Sequence, residues 1–169
     1  MRKNKKELFE TIYYQHQPMV LQMCLGFVKG DDDLANDLLQ EVFISVWRNL
    51  EKFKGESTYK TWIYRITVNT CLQYIKKDNK VTMFSISEIE NQLAVADNDE
   101  NSTNPNIQRL YKAIGQLKKI DRLIIIMVLE NQDYNSISEI IGITPTNVRV
   151  KIHRIKKRLE IILKNNKNG

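Results

Sequence analysis

The sequence predicts an all-α protein: two small helical domains joined by an acidic flexible linker, the C-terminal one a helix-turn-helix. Three observations predict it. Six glycines and three prolines in 169 residues are too few for an all-β chain, which needs many turns. Apolar residues recur at steps of three and four along most of the chain, the period of a helix with one buried face. Charge is unevenly spread. Residues 1–77 carry twelve Lys and Arg against nine acids, residues 78–106 one Lys against six acids, and residues 107–169 thirteen against five. A basic block behind an acidic connector suits a polyanionic partner, although a solvated basic helix face has the same composition. The expected domain limits are 1–78 and 107–169, with 79–106 as the linker.

In chain order, a first helix is expected over residues 8–28. Phe9, Ile12, Tyr13, Val20, Met23 and Phe27 keep the helical period there, and Gly30 supplies a stop. Pro18 is expected to kink this helix or divide it in two, because proline lacks an N–H and crowds the preceding turn. Asp31, Asp32 and Asp33 then read as an N-cap whose charge suits the helix dipole. The second helix should run to about Leu50 and bury Ala35, Leu38, Leu39, Val42, Phe43, Val46, Trp47 and Leu50. Asp37, Gln40, Glu41, Ile44 and Arg48 lie opposite. A lone exposed Ile is ordinary, but one ringed by carboxylates, an amide and an Arg also resembles a partner-docking rim.

Residues 52–58, KFKGEST, read as a loop. Ser57 or Thr58 can cap the third helix, expected from Tyr59 to about Lys77. Tyr59, Trp62, Ile63, Ile66, Val68 and Leu72 alternate there with Lys60, Arg65 and Asn69. Flat rings beside cations are what single-stranded DNA needs: faces for unstacked bases and charge for phosphates. Trp62, Ile63 and Ile66 are expected to serve the core as well. Residues 78–106 then lose the period and include DNDENSTNPN, a linker composition, with a possible short element at 81–93.

The second domain opens at Pro105, capped by Asn104. One helix holds Ile107, Leu110, Tyr111 and Ile114, and a strongly apolar one spans 120–130. Asp133 can cap a short helix over 134–141, Gly142 turns the chain, and Thr144 caps a last helix with Pro145 in its first position. Its buried stripe is Val148, Ile152, Ile155, Leu159 and Ile162. A short helix, a Gly turn and a capped second helix make a helix-turn-helix. Recognition helices read bases through their first two turns, which makes Arg149, Val150, His153 and Arg154 the base-reading candidates. Arg can bond guanine bidentately and Val can touch a thymine methyl. Thr146 and Asn147 suit phosphate. Lys156, Lys157 and Arg158 lie further along and add sequence-independent attraction.

Several classes are excluded as expectations. Cys24 and Cys71 lie in helical apolar patterns and read as reduced core residues of a cytoplasmic protein. No Cys-His cluster has metal spacing, and no Gly-rich phosphate loop or nucleophile motif is present, so neither an enzyme nor a cofactor protein is expected. The opening MRKNKKELFE lacks the apolar core of a signal peptide. The longest apolar run, 123–129, is too short to insert in a membrane.

On these residues the chain resembles the extracytoplasmic-function sigma factors, two-domain bacterial transcription initiation factors. DLLQEVFISVWRNLEKFKGESTYKTWIYRITVNTCLQYIKK is similar to the family's polymerase-docking and minus-ten segments, and LKKIDRLIIIMVLENQDYNSISEIIGITPTNVRVKIHRIKKRL to its minus-35 domain. The resemblance implies core RNA polymerase, promoter DNA and an anti-sigma factor as partners. It implies that Asp37, Gln40, Glu41, Ile44 and Arg48 meet polymerase. Phe53, Lys54, Ser57, Thr58, Tyr59, Lys60, Arg65 and Asn69 would meet the melted minus-ten element, the 53–59 loop capturing a flipped base. Thr146, Asn147, Arg149, Val150, Lys151, His153, Arg154 and Lys157 would meet the minus-35 element. The linker is implied to follow the polymerase's RNA path. Four positions depart from the pattern: Asn36 for an acid, Tyr59 for Phe, Ser136 for a capping-box Glu, and Ser138 for Ala. The alternative is a free-standing helix-turn-helix regulator with a ligand or dimerisation domain in front.

Overall fold

The computed structural model describes residues 2–82 and 104–167. Seven helices account for nearly all of them: α1 (Arg2–Phe27), α2 (Asp32–Asn49), α3 (Tyr59–Thr82), α4 (Pro105–Gly115), α5 (Lys119–Leu129), α6 (Tyr134–Ile141) and α7 (Pro145–Asn165). A 3-10 turn, Leu50–Lys52, follows α2. No strand occurs among the described residues.

The caps fall where side-chain chemistry puts them. Asp31 accepts from the Leu34 amide, Asn104 from Asn106, Asp133 from Ser136 and Thr144 from Asn147. Each satisfies a donor that the first helical turn leaves open, and replacing such a residue by Ala typically costs ~1 kcal/mol. Of the two candidates before α3, Thr58 does the work, its hydroxyl accepting from the Thr61 amide at 3.2 Å.

Pro18 neither splits α1 nor ends it. The reason is its face. Pro18 is exposed, and so is Tyr14, whose carbonyl would have accepted from residue 18. That carbonyl can bond water instead, which removes the larger part of the penalty. Helix α3 runs to Thr82, beyond the Lys77 end expected from its period. Helix therefore occupies both ends of the 79–106 stretch, and the possible short element at 81–93 lies outside the described residues after Thr82.

Helices α1, α2 and α3 pack on one another. Ile12, Val20, Met23, Val42, Val46, Ile63 and Val68 are almost wholly buried between them, each such side chain contributing ~1.5–3 kcal/mol. Tyr13 and Phe9 set ring edges against Phe43, at 4.7 and 6.3 Å between centroids. Cys24 and Cys71 are free and buried. A hydrogen bond to Cys24, followed by burial, pushes the Cys71 thiol well above its usual range, so it stays protonated.

In the second unit α7 packs against α4, α5 and α6 through Val148, Ile152, Ile155, Leu159 and Ile162. Gly142 sits at φ 81°, the left-handed conformation that ends α6, and its amide bonds the Ser138 carbonyl. The Ser138 hydroxyl crosses the turn and donates to the Ile143 carbonyl. The residue that departs from the usual Ala thus ties the turn to α6. Ser138→Ala should lower stability by ~1 kcal/mol, visible as a lower thermal midpoint with unchanged helix content.

The two units also touch. α1 packs on α5 and α4, and α3 packs on α6. Their buried apolar residues join a single cluster.

Candidate nucleic-acid interface

The helix-turn-helix is assembled from two capped helices and one left-handed glycine. The Ser136 amide, at 2.8 Å, and then its hydroxyl and the Asn135 amide hold the Asp133 carboxyl below the ordinary carboxylate range. A depressed pKa adds stability at neutral pH, and that stability is lost as pH falls through the lowered value. Ser136 also bonds the cap's side chain, its hydroxyl lying 3.2 Å from Asp133 Oδ2, where a Glu would have reached the backbone.

On α7 the buried stripe leaves Thr146, Asn147, Arg149, Val150, His153, Arg154 and Lys157 exposed. Val150 is 44 % exposed although aliphatic. Lys151 differs: it is half-buried and its ammonium lies 3.1 Å from Asp121 of α5. It is held toward its own unit, with less freedom to reach phosphate than Lys157.

The first unit presents two surfaces. On α2, Asp37, Gln40, Glu41, Ile44 and Arg48 are all exposed, Ile44 by 49 %. Sequence periodicity puts Trp47 in the core, but it lies at the edge, 37 % exposed. Phe9 meets it edge-on at 5.1 Å, and the Lys5 ammonium lies 4.7 Å from its ring centre. Lys5 also pairs with Glu51 at 3.3 Å. Ile44 and Trp47 are three residues apart and so adjacent on the helix surface, which makes the apolar rim wider than Ile44 alone. The spacing was readable in the sequence; the edge position was not, because it depends on where α1 begins to cover α2.

The second surface is the 53–58 loop with the start of α3. The Phe53 ring stacks on Tyr59 at 4.4 Å, with 28° between planes, and lies 5.0 Å from Trp62. These three half-buried rings brace the loop's two ends. Lys54, Thr58, Lys60 and Asn69 are exposed, and Ser57 is half-exposed. Lys60 also helps to depress the pKa of His16, for which burial is the larger cause. Arg65 points the other way: its Nε donates to the Glu139 carbonyl at 3.3 Å and its guanidinium lies 3.5 Å from the Glu139 carboxylate.

The arrangement offers contact surfaces rather than reacting groups. Among the described residues no group of three His, Cys, Asp or Glu side chains could hold a metal ion, and no helix is long and apolar enough to cross a membrane.

Comparison with known proteins places both units in one family. Residues 12–81 match Sigma-70 region 2, and residues 107–159 match Sigma-70 region 4. The chain is 28 % identical to the ECF RNA polymerase sigma-E factor of Haemophilus influenzae, over 95 % of this chain and 89 % of that one. It is 24 % identical to the RNA polymerase sigma factor SigV of Bacillus subtilis, over 96 % and 95 %. Its fold is similar to that of the sigma factor RpoE solved with the anti-sigma factor NepR from Bartonella quintana. There the TM-score is 0.78 at 20 % identity, covering 92 % of this chain and 96 % of that one. A second fold match is CnrH, solved with the cytosolic domain of CnrY, with a TM-score of 0.68 at 16 % identity, covering 95 % and 90 %. Two sigma regions in order, over surfaces suited to protein and DNA contact, identify the chain as a member of the extracytoplasmic-function sigma factors of the sigma-70 family, transcription initiation factors that act with core RNA polymerase on promoter DNA.

Proposed function

We propose that the labour of promoter recognition is divided among three surfaces of this chain. The exposed α2 face, Asp37, Gln40, Glu41, Ile44 and Arg48, docks on polymerase. The 53–58 loop, with Tyr59, Lys60 and Asn69, takes the unstacked strand of the minus-ten element, with Arg65 a weaker contributor because of its pairing with Glu139. The first turns of α7 read the minus-35 element through Arg149, Val150, His153 and Arg154. Thr146, Asn147 and Lys157 hold phosphates there, with Lys151 a weaker contributor because of Asp121. The division follows domains at 1–78 and 107–169, with 79–106 as the connector. The chain works in the cytoplasm, where its polymerase and template are. An anti-sigma factor is a further expected partner, since both structural neighbours were solved with another chain, one of them named as an anti-sigma factor.

The single observation that carries this reading is the loop's ring cluster. Phe53, Tyr59 and Trp62 meet one another, while Lys54 of the loop and Lys60 and Asn69 of α3 remain exposed. Stacking on such rings contributes ~1–3 kcal/mol per base, and extruding a base into a pocket converts its unstacking cost into selectivity. No bond is made or broken by this chain, and strand opening is driven by binding. Two modest DNA sites tethered to one polymerase then act together through effective concentration. Asn69→Ala should impair open-complex formation, read by permanganate reactivity of melted thymines, while core affinity stays as in the wild type. An equal loss of core affinity would remove Asn69 from the DNA-contacting set.

A further inference from the structure

On charge alone α7 would bind any duplex. It carries seven Lys and Arg against one acid, Glu160, and cations near phosphate strengthen binding to every sequence alike by releasing counterions. Glu160 is paired within the helix, its carboxylate 2.7 Å from the Lys164 ammonium near the C-terminal end. The first turns of α7, where bases are proposed to be read, have no acid of their own. There a counter-charge comes from another helix.

Asp121 stands in the first turn of α5. Its side chain is 19 % exposed, and Oδ1 is cut off from solvent with no aligned hydrogen-bond donor. Lys151 brings its ammonium to 3.1 Å from that atom. The pair joins two helices that pack on each other, α5 and α7. A carboxylate oxygen withdrawn from water keeps its charge unfavourably unless a cation balances it, so the contact holds Lys151 more firmly than a surface ion pair would. The helix dipole explains why an acid stands at the start of α5, where the N-cap Lys118 makes no side-chain bond. It does not explain the pairing, because an acid there is favoured with its oxygens in water. On α7, Lys151 lies one turn from Asn147 and one turn from Arg154, both of them exposed. Lys151 is placed to join them at the DNA backbone and is turned aside instead.

We propose that Asp121 is a positioning residue that limits sequence-independent DNA binding: it holds Lys151 against α5, so that the recognition helix meets DNA with one free cation fewer. A freed Lys151 would add attraction at every site, and non-specific sites outnumber promoters by orders of magnitude. The gain would therefore fall mostly on the wrong DNA. This proposal rests on the reading that the exposed face of α7 lies against DNA.

The test titrates the full chain with a short dye-labelled duplex of random sequence over a range of salt concentrations, read by fluorescence anisotropy. Asp121→Asn should steepen the salt dependence of affinity by ~1 unit of slope and tighten binding severalfold at low salt. Asp121→Ala, which removes the acceptor outright, should do the same, and if either variant loses helix by circular dichroism the other carries the measurement. Adding Lys151→Gln to Asp121→Asn should return slope and affinity to the wild-type values, since the freed cation is gone. A role limited to fastening α5 on α7 predicts a lower thermal midpoint in Asp121→Asn with the slope unchanged, and that result overturns the proposal. So does a gain that survives Lys151→Gln. Lys157→Ala separates the proposal from the reading beneath it. A slope that Lys157→Ala lowers but Asp121→Asn does not raise sinks the proposal alone, and a slope that neither variant moves sinks both.

Discussion

Ile44→Glu should weaken binding to core RNA polymerase by at least about thirtyfold, ~2 kcal/mol, the scale of an interface hot spot. Ile44 is 49 % exposed and contributes little to the core, and Glu is a better helix former than Ile. The chain should therefore fold as before. At the interface the same change replaces a desolvated aliphatic anchor with a third carboxylate near Asp37 and Glu41. Both effects act against docking. Fluorescence titration of labelled chain with core polymerase reads the loss. Affinity within twofold of the wild type would take α2 out of the docking surface. Trp47 is a poorer choice for this test, because its ring also holds Lys5 and Phe9, and its removal would disturb the fold.

Arg149→Ala should cost ~1–3 kcal/mol of discrimination among minus-35 variants, with a much smaller change on promoters already mismatched at the base it reads. Arg149 is exposed in the first turns of a helix whose opposite stripe is buried, so truncation should leave the domain stable. Lys157 provides the contrast. It lies a further two turns along and is exposed, so Lys157→Ala should weaken all sequences about equally and reduce the salt slope by ~1. Promoter-variant titrations at two salt concentrations separate the two behaviours. Unchanged selectivity in Arg149→Ala would remove it from the base-reading set.

Local structure was legible because it is written in local chemistry. Asp31, Asn104, Asp133 and Thr144 cap the helices that their sequence context assigns to them, since an N-cap needs only a short acceptor and a free amide two or three residues on. The helix-turn-helix was readable for the same reason: two caps, one glycine and one stripe. Pro18 was harder. Proline's penalty depends on whether water can reach the freed carbonyl, which is a property of the packed face. Trp47 and Arg65 show the same limit at the site. Periodicity assigns Trp47 to the core and chemistry offers Arg65 to DNA, but the positions of α1 and α6 decide what each meets. The packing of the two units on each other was invisible, because Gly26 and Ile126, which meet across it, are one hundred residues apart in sequence and no period couples them.

The central claim, that the chain directs polymerase to promoters, is tested most directly by reconstituted run-off transcription on genomic fragments. Core polymerase plus this chain should give transcripts with discrete start sites, and neither component alone should do so. No gain in initiation, with the chain instead binding DNA by itself as a dimer, would contradict the account and favour a free-standing helix-turn-helix regulator.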